Sequence, residues 1–173
     1  ALGAPNVRVW APFGVEPGSA RTGEVVDALQ AVVVAAAARG LTVGVEFHGG
    51  TLTATAESAM ALLDAVGASN LWTYWQPPYW LPARAATDDA AEVSMLGPRL
   101  SHVHVYEWAT ALDRRPLVEG EQRWRAVFRA LGDGAPLGAP VPRVAFIEFV
   151  ADDDPDALRR DGLRLHQLLE ESP

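Results

Sequence analysis

The sequence predicts an α/β protein built on a parallel sheet and organised as most of a (β/α)8 barrel. The first sign is strict alternation: strand-like and helix-like segments succeed one another as β-α-β-α-β-α-β-α-β-α along the whole chain. The second is the character of the strands. Runs such as Val43-Gly44-Val45 and Val144-Ala145-Phe146-Ile147 lack polar alternation, as strands buried on both faces by helices do. The third is the set of polar residues at or just after the ends of those runs: Glu46 and then His48, Gln76, His102 and His104, and Glu148. Ligand-type side chains at the carboxyl ends of several strands mark the open face of a βα barrel. No glycine-rich phosphate fingerprint opens the first helix, which argues against a dinucleotide-binding sheet. Five βα units in 173 residues fall short of the eight units and roughly 250 residues of a full barrel. The expectation is one domain over residues 1–173, an incomplete barrel.

Each element has its own signals. Residues 6–12 read as a first strand, stopped by Pro12 and Gly14. A Gly/Pro-rich loop leads to Thr22, an N-cap candidate for a helix to about residue 39, with Gly40 closing it. Val25, Leu29, Val32, Val33 and Ala36 recur at helical spacing. The second strand spans 41–47. Thr53 or Thr55 caps the next helix, which ends at Gly67. The third strand is 71–75, halted by Pro77 and Pro78. A weaker helix covers 88–96 and breaks at Gly97-Pro98, and the fourth strand covers 100–106. A long loop carries Arg114, Arg115 and Pro116. A short helix over 121–131 shows Trp124, Val127, Phe128 and Leu131 on one face. A Gly/Pro-rich connection spans 132–142, and the fifth strand is 143–150. The last helix runs over 155–171, with Asp154 as N-cap and Pro155 at its first position.

Composition narrows the function. The net charge is −8 and every basic residue is arginine. An acidic chain offers no electrostatic footprint for nucleic acid or anionic membranes. The lack of lysine removes Schiff-base chemistry and a phosphate-loop lysine. The lack of cysteine removes disulfides and thiolate metal sites. No apolar run approaches the roughly 20 residues that span a bilayer, and a cytoplasmic protein is expected.

Several segments together resemble the xylose-isomerase-like TIM-barrel family of sugar phosphate isomerases and epimerases. They are Val45-Glu46-Phe47-His48-Gly49-Gly50, Tyr74-Trp75-Gln76-Pro77, His102-Val103-His104-Val105, Glu119-Gly120-Glu121-Gln122-Arg123-Trp124 and Ile147-Glu148. The resemblance covers the carboxyl-terminal two thirds of that family. It implies that the five units correspond to strands four to eight and that the first three units have no counterpart here. It also implies a divalent metal (Mn, Mg, Co or Zn) at the open end, held by Glu46, Gln76, His104 and Glu148. Gln76 stands where the family usually has aspartate. An amide oxygen ligates a hard cation without contributing charge, so weaker binding is expected.

The implied activity is isomerisation or epimerisation of a sugar. A carboxylate takes a proton from a carbon beside a carbonyl, an acid returns it, and the metal stabilises the enediolate. Glu46 and Glu148 are the expected catalytic pair; the plainer reading makes each a solvated strand end or half of an ion pair with arginine. His48, His102, Trp10, Trp75 and Trp108 are the candidates for contacting a sugar or polyol, and packing of the barrel mouth competes as an explanation for each. Alternation puts His102 and His104 on one face of their strand, with His104 nearer its end. Two other functions use the same scaffold. One is a lyase or dehydratase acting on a polyol or keto acid through the same metal site; the other is a catalytically silent protein that binds a sugar or a partner. Five strands in barrel order leave two open edges. A homo-oligomer, or pairing with a missing amino-terminal part, is therefore expected.

Overall fold

A computed structural model of the chain describes residues 3–81, 84–110, 113–132 and 143–171. Five strands, β1 (Asn6–Val9), β2 (Thr42–Glu46), β3 (Leu71–Trp75), β4 (Leu100–Val105) and β7 (Val144–Ile147), form one parallel sheet and lie in it in that order. The helices between and after them are α1 (Thr22–Ala37), α2 (Ala56–Val66), α3 (Ala86–Leu96), α4 (Glu121–Leu131) and α5 (Pro155–Glu170). The sheet curls into an open half-barrel with the helices on its convex side.

Local chemistry accounts for the helix ends. Thr55 accepts a hydrogen bond from the Ser58 amide, and the Ser58 hydroxyl accepts one from the Thr55 amide, so two orphan amide groups of α2 are satisfied reciprocally. Gly67 closes α2 in the left-handed conformation. Asp154 accepts from the Asp156 amide and Pro155 opens α5. Thr22 behaves differently from the expectation. It is the first helical residue of α1 rather than its cap, and its hydroxyl donates to the Ser19 carbonyl. The long loop expected after the fourth strand contains an antiparallel hairpin, β5 (Glu107–Thr110) with β6 (Asp113–Arg115). Cross-strand pairing organises this polar stretch, which has no apolar period to signal it. Of the connection expected over 132–142, residues 133–142 lie outside the described residues.

Alternation divides the strands between two environments. Val43 and Val45 of β2 face α1 and α2, where they join Val25, Leu29, Val33, Leu62 and Leu63 in one apolar cluster. Trp75, Leu100, Val103 and Val105 join Trp124, Phe128, Leu165 and Leu168 in a second. The opposite parity faces the concave side. There Tyr74 donates to the Asn6 side-chain oxygen at 2.7 Å, and the Tyr74 ring lies 4.6 Å from His102. Gly44 makes this possible, because a Cβ on it would collide with the Tyr74 ring edge.

The sheet does not close among the described residues: β1 and β7 each have one neighbouring strand. Val7 (40% exposed) and Phe146 (42% exposed) lie on these two edges. No helix among the described residues is long and apolar enough to cross a membrane.

Candidate active site

The carboxyl ends of β1 to β4 and β7 bring Arg8, Glu46, Gln76, His104 and Glu148 together on the concave side. Each arrives by strand parity. Glu46 ends β2 on the side opposite Val45, His104 sits in β4 on the side opposite Val103, and Glu148 comes directly after β7, where its amide donates to the Val105 carbonyl at 3.2 Å. Glu46, Gln76 and His104 are buried, and Glu148 is partly so.

The hydrogen bonds assign the His104 tautomer. Its Nδ1 lies 3.3 Å from the Gln76 amide oxygen, an acceptor, so Nδ1 carries the proton and donates. Its Nε2 then presents a lone pair, 3.4 Å from Arg8 Nη1, which donates to it. The same Arg8 nitrogen lies 2.9 Å from Glu46 Oε2 and 3.8 Å from Glu148 Oε1. Trp10 Nε1 also donates to Glu46 Oε2, at 2.5 Å. Glu148 Oε2 lies 3.2 Å from His104 Nδ1 but out of line with its N–H, and it is buried without a hydrogen-bond partner among the described residues.

Glu46, His104 and Glu148 each offer a ligand atom, and these atoms lie within 4.8 Å of one another. Two carboxylates and an imidazole form a donor set suited to Zn²⁺, Mn²⁺ or Mg²⁺. A cation would also satisfy the orphaned Glu148 Oε2. The residues therefore fit a divalent metal. Gln76 reaches the same cluster, but its oxygen meets the His104 proton, an arrangement that orients the imidazole.

An aromatic wall stands beside this cluster. His48 lies at its centre, within 6.1 Å of the rings of Trp10, Phe13, Tyr79 and Trp80. Tyr79 OH lies 3.2 Å from His48 Nε2. Burial, and then the negative charges of Glu148 and Glu46, push the Tyr79 hydroxyl above its ordinary pKa, so it stays protonated. Trp108 extends the wall against Tyr79, Tyr106 and Phe149, with the Arg114 guanidinium over its ring. Deeper in the concave side, burial pushes Tyr74 up to about 12, with Arg8 opposing and Glu46 adding to the rise. Burial lowers the His102 pKa, which keeps that ring neutral.

The expected contact residues divide accordingly. Trp10, His48 and Trp108 line the mouth. His102 lies one layer below His104, between the rings of Tyr74 and Phe146, with no polar partner for its Nδ1 among the described residues. Trp75 lies elsewhere: it is fully buried on the helix side, packed on Trp124, and its Nε1 donates to Glu92. Its parity is opposite to that of Gln76, and the apolar layer under α3 and α4 takes the ring. Arg8 and Tyr79 are members that sequence reasoning passed over. An arginine inside the apolar run Val7-Arg8-Val9 was the available signal for the first. Tyr79, behind two prolines, offered none.

The family model of the xylose isomerase-like TIM barrel matches residues 1–163. The chain belongs to this family. Solved structures share the chain's architecture at low identity. An L-ribulose 3-epimerase is 16% identical with a TM-score of 0.70, over 98% of this chain and 63% of its own. A xylose isomerase domain protein from Planctomyces limnophilus is 17% identical with a TM-score of 0.73, over 98% and 60%. A xylose isomerase-like TIM barrel protein from Mycobacterium smegmatis, in complex with magnesium, is 13% identical with a TM-score of 0.66, over 99% and 63%. The chain thus spans less than two thirds of each of these structures. No curated protein sequence matches it.

Proposed function

We propose that this xylose isomerase-like chain carries the metal-dependent active site of a sugar isomerase or epimerase. The observation that carries the reading is the convergence of Glu46, His104 and Glu148 within 4.8 Å at the carboxyl ends of parallel strands. The epimerase of the same fold and the magnesium-bound relative support the class of reaction and the class of cofactor. Glu46, His104 and Glu148 would hold the ion, with Gln76 fixing the His104 tautomer. When bound, the ion supplies a fixed positive charge for the oxygen that becomes negative as the proton leaves the neighbouring carbon.

The chain's own groups account for the rest. One carboxylate, Glu46 or Glu148, takes the proton from a carbon beside the sugar carbonyl. The other group returns it, on the opposite face of the same carbon for epimerisation or on the former carbonyl carbon for isomerisation. Trp10 holds Glu46 in place by donating to Oε2. His48 and Tyr79 present polar atoms to sugar hydroxyls, while Trp10, Phe13 and Trp108 give the apolar face of a sugar a surface to lie on and displace water.

The test is incubation of the chain with ketopentoses and ketohexoses in D2O, with Mn²⁺ or Mg²⁺ added. Deuterium should enter the carbon beside the carbonyl, the product should have the mass of an isomer raised only by the deuterium taken up, and both signals should disappear in Glu148→Gln. A product lighter by one water would replace this reading with a dehydratase. Metal bound at the three residues, with no exchange into any ketose tried, would leave a binding protein.

A further inference from the structure

Arg8 Nη1 sits beside one acceptor atom of each residue that would ligate a metal: Glu46 Oε2 at 2.9 Å, His104 Nε2 at 3.4 Å and Glu148 Oε1 at 3.8 Å. The lone pair of His104 is aimed at it, because the Nδ1 proton is committed to Gln76. One guanidinium nitrogen thus occupies an acceptor atom of each of these three residues. It neutralises part of the charge of the two glutamates and uses the acceptor atoms a metal needs. A divalent ion and the guanidinium cannot share those atoms, since like charges a few ångströms apart repel strongly in a partly buried site.

We infer that Arg8 is a tethered counter-cation of this site, and that a divalent metal binds by displacing its guanidinium. This rests on the metal-site reading above. Arg8 is placed for such a movement. It belongs to β1, an edge strand, and its side chain is 44% exposed, so the guanidinium can swing into solvent while the strand stays in register. Trp10 keeps its hydrogen bond to Glu46 Oε2 and holds the carboxylate in position during the exchange. The site therefore stays assembled without metal, because Glu46 and Glu148 never face one another uncompensated. Metal affinity is set by competition as well as by the ligands, and neutral Gln76 adds no charge to offset it.

The test is calorimetric titration of Mn²⁺ into the full chain, together with melting with and without Mn²⁺, for wild type, Arg8→Met and Arg8→Lys. Arg8→Met should bind Mn²⁺ at least about tenfold more tightly, given the charge removed from the ligand cluster. Without metal it should melt below wild type, and Mn²⁺ should raise its melting temperature by more. Arg8→Lys keeps the charge and should stay near wild-type affinity. Equal or weaker binding by Arg8→Met, or equal tightening by both variants, would overturn the counter-cation while leaving the metal site standing. Binding that survives Glu46→Gln with Glu148→Gln would remove the metal site itself, and the inference with it. A wild-type crystal grown with Mn²⁺ gives an independent readout: Arg8 should have left Glu46 Oε2, and a guanidinium still bonded there beside a bound ion would sink the proposal even if the variants fail to fold.

Discussion

The Gln76 amide oxygen and His104 Nδ1 lie 3.3 Å apart, and this contact decides which histidine nitrogen is free. Replacing Gln76 with leucine leaves a buried N–H without its acceptor and lets the ring turn. Outer partners of this kind typically change metal affinity by about 10- to 100-fold. Calorimetry on Gln76→Leu should show Mn²⁺ binding weakened by that range. Unchanged affinity would mean that Gln76 does not set the orientation of His104.

Gly44→Ala should destabilise the fold. The added Cβ meets the Tyr74 ring, which is buried and tied through its hydroxyl to Asn6. Overpacking of this sort costs about 1–3 kcal/mol. Denaturant unfolding should report that loss, and Tyr74→Leu in the same chain should recover part of it. Full additivity of the two substitutions would place the strain elsewhere.

Glu107 gives a pH signature. Burial raises its carboxyl above the usual 4.5, with Arg123 pulling in the opposite direction. A raised carboxyl binds more protons folded than unfolded. Its contribution to stability is therefore fully present below 4.5 and is lost as pH rises through the folded value. Asp89 and Glu92, on α3, are raised by burial in the same sense. Glu107→Gln removes one of these titrations, so its stability should fall less steeply than wild type as pH increases above 4.5. Parallel stability curves would assign no such role to Glu107.

The two open edges predict association. Val7 on β1 and Val144 and Phe146 on β7 are exposed apolar residues on strands that have one neighbour each among the described residues, and no lysine guards either edge. Light scattering of the 173-residue chain should detect species larger than 18.5 kDa, and Val7→Lys should reduce them. A stable monodisperse monomer would show that the edges are protected in another way.

Local chemistry and period determined much of this protein. The apolar runs of β2, β3 and β4, the reciprocal Thr55 and Ser58 cap, Gly67 and the Asp154-Pro155 start are written in short stretches, because each depends on residues a few positions apart. The convergence of Glu46, Gln76, His104 and Glu148 was also legible, since parallel strands in sequence order bring their carboxyl ends to one face. Tertiary structure alone decided what those groups touch. It set Trp75 in the apolar layer under α3 and α4, because alternation says only that Trp75 opposes Gln76, while the helices packed on the sheet decide which side is core. It also brought Arg8 to His104 across 96 positions of sequence. No local pattern encodes a contact between an edge strand and a strand three places away; only the curl of the sheet places them around one point.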